Sequence, residues 1–179
     1  MFVSGAKIVG LLQTENFAIF SLRLSSIVGK VKKGKSSSPV FLTEKLLRRE
    51  AMLWWRQGLR DLDLAERLLD RGDYSYAAFH SHQAVEKALK AAIIHVLREL
   101  PPKIHNLIEL VESLRSANLS IDDVLDDVKE LNPHYLTSRY PDAANGVPSE
   151  VYTKRMGETC VRLARKVVEW IRTLLETRA

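Results

Sequence analysis

Cysteine is nearly absent from this chain of 179 residues: the single Cys160 excludes an intrachain disulfide and any zinc site built from several thiolates of one chain. That usage fits a reducing, cytoplasmic setting. Long hydrophobic runs are also missing. Charged or polar residues break every apolar stretch before the ~18 residues a membrane-spanning helix requires, and no apolar block followed by a cleavage site marks a signal peptide. No glycine-rich phosphate loop, zinc motif or nucleophile elbow occurs, so neither a metal nor a cofactor is expected. What remains is 46% hydrophobic and 27% charged, the composition of a folded soluble domain with a core of its own.

The formal net charge of +5 is unevenly placed. Residues 1–49 hold nine Lys/Arg against two acids, and the other 130 hold eighteen against twenty. The excess lies mainly in VGKVKKGKSSS, where Lys30, Lys32, Lys33 and Lys35 are candidates for touching nucleic-acid phosphates or simply form a solvated linker. The reading therefore divides the chain into a basic extension, 1–42, and a helical domain, 43–178.

Thr43 is expected to cap a first helix whose Leu47, Ala51, Trp54/Trp55, Leu59, Leu62, Ala65 and Leu68 recur at three and four, ending near Gly72. A second stripe runs from Tyr74 to Val96. It is rich in alanine, which lets a neighbour approach closely, and Pro101 and Pro102 close it. Further helices are expected over 105–116, after a Ser120 cap, and from Ser149 to Leu175, with a turn-rich connection over 132–148. The acids Asp122, Asp123, Asp126 and Asp127 read as first-turn helix acids in preference to a metal site. Helices with short links and no strand pattern give an all-α, antiparallel up-and-down bundle of four or five helices.

FHSHQAVEKALKAAI, residues 79–93, concentrates the polar chemistry. His82, Glu86 and Lys90 stand one above another at i, i+4 and i+8, with His80, Gln83 and Lys87 as a neighbouring row. Glu86 is placed to pair with Lys90 and to reach His82, which favours a protonated imidazole, and Lys90 would offer a point charge to a phosphate. A salt-bridged flank or a dimer seam would use the same residues. His105, ahead of an apolar helix, is a ligand or base candidate. Arg139 and Tyr140 could hold a phosphate and stack on a base, or Arg139 could pin its loop by pairing with Asp142 or a helix acid.

Ala77–Ala78–Phe79, then Gln83 through Ala91 (QAVEKALKA), then Ile104–His105–Asn106–Leu107, then Ser138 through Ala143 (SRYPDA), occur in an order that resembles a HEPN domain, over about residues 50–175. The resemblance implies a helical bundle, usually a homodimer, that binds a nucleotide or RNA. It also implies a nucleotidyltransferase-type partner, often within a toxin–antitoxin pair. Nuclease members carry Arg, four to six residues, then His, near the start of the last long helix, and two subunits join these into a metal-independent RNA-cleaving centre. No His follows Arg139 in this chain, and the one matching spacing, Arg98 to His105, spans Pro101 and Pro102. Three functions stay open at this point. They are a non-catalytic module binding a nucleotide or RNA through His82, Glu86, Lys90, His105, Arg139 and Tyr140, a ribonuclease using Arg98 and His105, and a structural interaction subunit.

Overall fold

The computed structural model describes residues 39–177, and the basic run at Lys30, Lys32, Lys33 and Lys35 lies outside them. The described residues are helical, without strands, and form the expected all-α bundle. None of their helices is long and apolar enough to cross a membrane.

Helix α1, Pro39–Asp70, begins ahead of the expected Thr43 cap, with proline in the first turn, where its missing N–H costs nothing. It stops where the sequence supplies glycine. Gly72 takes φ +85, its N–H donates to Leu69 O, and the Asp73 N–H reaches back to Leu68 O, the paired bonds of a Schellman cap.

Helix α2, Tyr74–Leu97, is the central element, packed against α1, α3 and the last helix. Its alanines at 77, 78, 84, 88, 91 and 92 are fully buried. They bring α1 so near that a Cβ on Gly58 would stand 3.1 Å from Ala84 O and 3.2 Å from Ala88 N. The helix ends at Leu97, before the two prolines, with Arg98 left-handed.

Helix α3, Leu107–Ser113, is capped by Asn106, whose side chain accepts from the Ile108 and Glu109 N–H groups, and a 3₁₀ turn, Leu114–Ala117, extends it. Helix α4, Asp122–Leu131, has no side-chain cap, so Ser120 does not fill the expected role. Three of its acids form ion pairs: Asp122 with Arg115, Asp126 with Lys129, and Asp127 with Lys166.

The connection that follows is more ordered than its turn-rich composition suggests. It folds into three single turns, α5 His134–Thr137, α6 Pro141–Ala144 and α7 Pro148–Val151, and the last two start on a proline. Helix α8 therefore begins at Lys154, later than the expected Ser149, and runs to Thr177. Between α7 and α8, Tyr152 leaves the helical path, and its buried hydroxyl lies 2.6 Å from His134 Nδ1 and 2.7 Å from Thr137 Oγ1. This holds the α5 turn, and the residues just beyond it, against the bundle.

Candidate functional site

A helical rise of 1.5 Å per residue puts Phe79, His82, Glu86 and Lys90 in one row along α2. From sequence, His82, Glu86 and Lys90 are expected to border the apolar stripe. In the structure the row is covered: His82 is 0%, Glu86 3% and Lys90 5% exposed. The cover comes from the segment after α2, which contributes His105, and from α5, which contributes Tyr135.

Burying a carboxylate requires partners. Glu86 has three: Lys90 Nζ donates at 2.8 Å, Gln83 Nε2 at 3.1 Å, and His105 Nδ1 lies 3.0 Å from Oε2. Burial alone would raise the Glu86 carboxyl, but Lys90 and His105 outweigh it and hold the group below its ordinary range, so it stays charged. Lys90 also sits over the Trp54 ring at 5.2 Å. Its charge is thus committed inward, which corrects the expectation that it offers a free point charge to a phosphate.

His82 behaves opposite to the expectation as well. Its nearest carboxylate oxygen, on Glu86, is 3.9 Å away, and neither ring nitrogen finds a hydrogen-bond partner. Burial outweighs the attraction of Glu86 and of the His105 backbone and pulls the imidazole down to about 4, so it is neutral at pH 7.

His105 is the part of the row that reaches water. Its side chain is 52% exposed, with the buried Glu86 carboxylate behind it and the Tyr135 ring stacked on it at 4.5 Å and 12°. The other face of this aromatic layer holds Arg139. The guanidinium lies 4.4 Å from the Tyr135 ring, 4.5 Å from Phe79 and 5.0 Å from the exposed Tyr140, while Nε donates to Tyr135 O. Among the described residues Arg139 pairs with no carboxylate, so the expected bridge to Asp142 or a helix acid does not form. His105, Arg139 and Tyr140 therefore share one half-open surface, with Glu86, Lys90 and His82 beneath it.

A second polar knot adjoins the first. Asp61 of α1, also buried, is 3.0 Å from His80 Nδ1 and 2.9 Å from Lys87 Nζ, and accepts from Gln57. Burial raises its carboxyl, and the hydrogen bonds from His80 and Lys87 more than offset that and lower it. Lys87 Nζ also donates to Gln83 Oε1 at 2.9 Å, so Gln83 ties this knot to Glu86. Asp61, Phe79, Tyr135 and Trp54 were not picked out from sequence. Local spacing carries no sign of Asp61, Tyr135 and Trp54, since each meets the row from another helix, and Phe79 is marked only by its contact with Arg139.

Arg98 stands apart from His105. His105 contacts Glu86, and Arg98 follows Glu86 by three helical turns along α2, about 18 Å. In a single chain these two residues flank different parts of the bundle.

Comparison with known proteins agrees with this architecture. The family model of the HEPN domain matches residues 51–174. A curated protein of Methanocaldococcus jannaschii, named "Putative toxin MJ1304", is 29% identical over 137 residues, covering 70% of this chain and 88% of that protein. Among solved structures, TT1696 from Thermus thermophilus is 31% identical with a TM-score of 0.64, covering 70% of this chain and 98% of its own. ST0689, an archaeal HEPN homologue, is 29% identical with a TM-score of 0.59 at the same coverage.

Proposed function

The chain belongs to the HEPN domain family, and on that footing we propose that it is a toxin-type HEPN module that binds RNA at the His105–Arg139–Tyr140 surface. The observation that carries this reading is Arg139. Three aromatic rings and the Tyr135 carbonyl fix its plane, yet no carboxylate among the described residues neutralises it. A planar guanidinium held in that way is suited to take a phosphate through two parallel hydrogen bonds. Tyr140, exposed beside it, supplies a ring on which a base can stack. His105 adds an imidazole whose orientation is set by Glu86. In this reading Glu86, Lys90 and His82 support the surface from below, and the lysines at 30, 32, 33 and 35 add affinity without sequence preference.

The toxin name carried by the Methanocaldococcus relative supports a partner of antitoxin type. A nucleotidyltransferase-type protein and a homodimer are the forms that the family resemblance implies. The proposal is tested by calorimetric titration with a short mixed-sequence RNA and with ATP, at low and high salt. Arg139→Ala should weaken RNA binding by about tenfold or more, with Arg139→Lys recovering only part of the loss. The reading fails if Arg139→Ala binds like the parent while replacing the four lysines abolishes binding. Sedimentation of the same samples reports the dimer.

A second reading, RNA cleavage, is favoured by the His105–Glu86 pair. A buried carboxylate on Nδ1 orients the ring and leaves Nε2 to accept a proton from an attacking 2′-hydroxyl, while Arg139 offsets charge gathering on the phosphate. The 2′-oxygen bonds to phosphorus as the P–O5′ bond breaks, which leaves a 2′,3′-cyclic phosphate, and the departing 5′-oxygen takes a proton from water. Cleavage of RNA in the presence of a chelator, lost in His105→Ala with oligomeric state unchanged, would select it over binding alone.

A further inference from the structure

Among the described residues, three other than glycine adopt positive φ: Asn118, Asn145 and Arg98. Asparagine tolerates the left-handed region, and Arg98 takes it as the residue that closes α2, its N–H donating to Ile94 O. Cations near a helix C-terminus are common because they oppose the macrodipole. Arg67 does this at the end of α1 from an ordinary helical position. Arg98 lies just past the end of α2.

Its side chain lines a cavity of about 210 Å³ at the far end of α2, about 28 Å along the helix from Phe79 and the Arg139 surface. The lining mixes two kinds of side chain. Arg48 of α1, His95 and Arg98 supply its polar lining, and Met52, Trp55 and Leu175 its apolar lining. Neither Arg48 nor Arg98 pairs with a carboxylate among the described residues, and Met52 is left more than half exposed. Two guanidiniums and an imidazole beside a ring and two aliphatic chains match a molecule with a charged head and an apolar body. The volume is below the ~300–1,000 Å³ of drug-sized pockets, which limits that body to a single ring or a short chain.

We propose that this cavity binds a small organic anion, a carboxylate or phosphate ester on a one-ring or short-chain body, with Arg98 and Arg48 holding the anionic group and Trp55 the apolar part. This site is separate from the RNA-binding surface, and neither reading depends on the other.

The test is an NMR titration of the full chain, following the Trp55 indole and the Ala51 and Arg98 amides. Phenyl phosphate is the probe, with benzyl alcohol supplying the body without charge and inorganic phosphate the charge without body. Saturable shifts are expected with phenyl phosphate, and much weaker ones with either control. Arg98→Gly removes the guanidinium while placing the residue best suited to positive φ, so the variant should melt no lower than the parent and bind phenyl phosphate about tenfold more weakly. Arg48→Ala should weaken it similarly, and Arg139→Ala should not. Equal midpoints for phenyl phosphate and benzyl alcohol, unchanged binding by Arg98→Gly, or no saturation at millimolar phenyl phosphate would each overturn the assignment.

Discussion

His82 offers a measurement in which burial and charge make opposite forecasts. The imidazole is fully enclosed, both ring nitrogens lack partners, and its folded value near 4 compares with an ordinary 6.5. Between those two values the unfolded chain binds a proton at His82 that the folded chain does not. Stability therefore falls as pH falls through this window, and the interval corresponds to about 3 kcal/mol. The variant is His82→Leu, which keeps an apolar filler of similar size and removes the titration. At pH 7 the exchange should change stability by less than about 1.5 kcal/mol, because no hydrogen bond is lost. Urea unfolding from pH 7 to pH 4 should then show the variant gaining on the parent, by about 3 kcal/mol at the acid end. Glu86 also loses its contribution in acid, since its folded carboxyl lies below the ordinary range and its stabilisation is lost as pH falls through that lower value. It does so in both proteins, so the difference isolates His82. A pH-independent difference, or one that favours the parent in acid, would refute the claim that burial prevails over Glu86 at this ring.

Lys90→Met should cost about 3 kcal/mol, the lower end for a broken buried pair because His105 and Gln83 still serve Glu86. The melting temperature should fall by about 10 °C, and the Glu86→Leu/Lys90→Met double variant should recover most of it. Gly58→Ala should destabilise by about 1–3 kcal/mol in thermal melts, although alanine is the better helix former, because the added Cβ meets the α2 backbone at Ala84 and Ala88 and not a yielding side chain.

The legible parts of this protein are those written at short range. The three-and-four spacing located α1 and α2, glycine at 72 marked the α1 stop, and the alanine stripe anticipated the close α1–α2 crossing. The Glu86–Lys90 pair followed from i,i+4 geometry alone. Helix α8 starts later than its sequence suggests because Pro148–Val151 is helical for one turn, after which Tyr152 leaves the helical path and its hydroxyl meets His134 and Thr137. The same limit applies to the site. Lys, Glu and His at helical spacing read as a flank near water, and what reversed this is a cover from residues 105 and 135, far along the chain. Asp61 is nineteen residues from the His80 it holds, and nothing in its own neighbourhood marks it.

The cover also explains why a buried carboxylate can lie beneath a surface proposed to receive anions. Glu86 without a counterion would oppose a phosphate at His105 and Arg139, since charges are weakly screened where water is excluded. Lys90 Nζ, 2.8 Å from Glu86, cancels that field from below, as Lys87 does for Asp61 at 2.9 Å. What an approaching anion then meets is Arg139, without a carboxylate partner among the described residues, and the exposed edge of His105. On this argument Lys90→Met should do more than lower the melting temperature. Even where the variant is fully folded, a Glu86 that has lost its Lys90 counterion should weaken RNA binding at the Arg139 surface, and the double variant Glu86→Leu/Lys90→Met should restore the affinity that depends on Arg139 while losing whatever depends on an oriented His105. Equal RNA affinity for the folded Lys90→Met protein and the parent would show that Lys90 serves the fold alone.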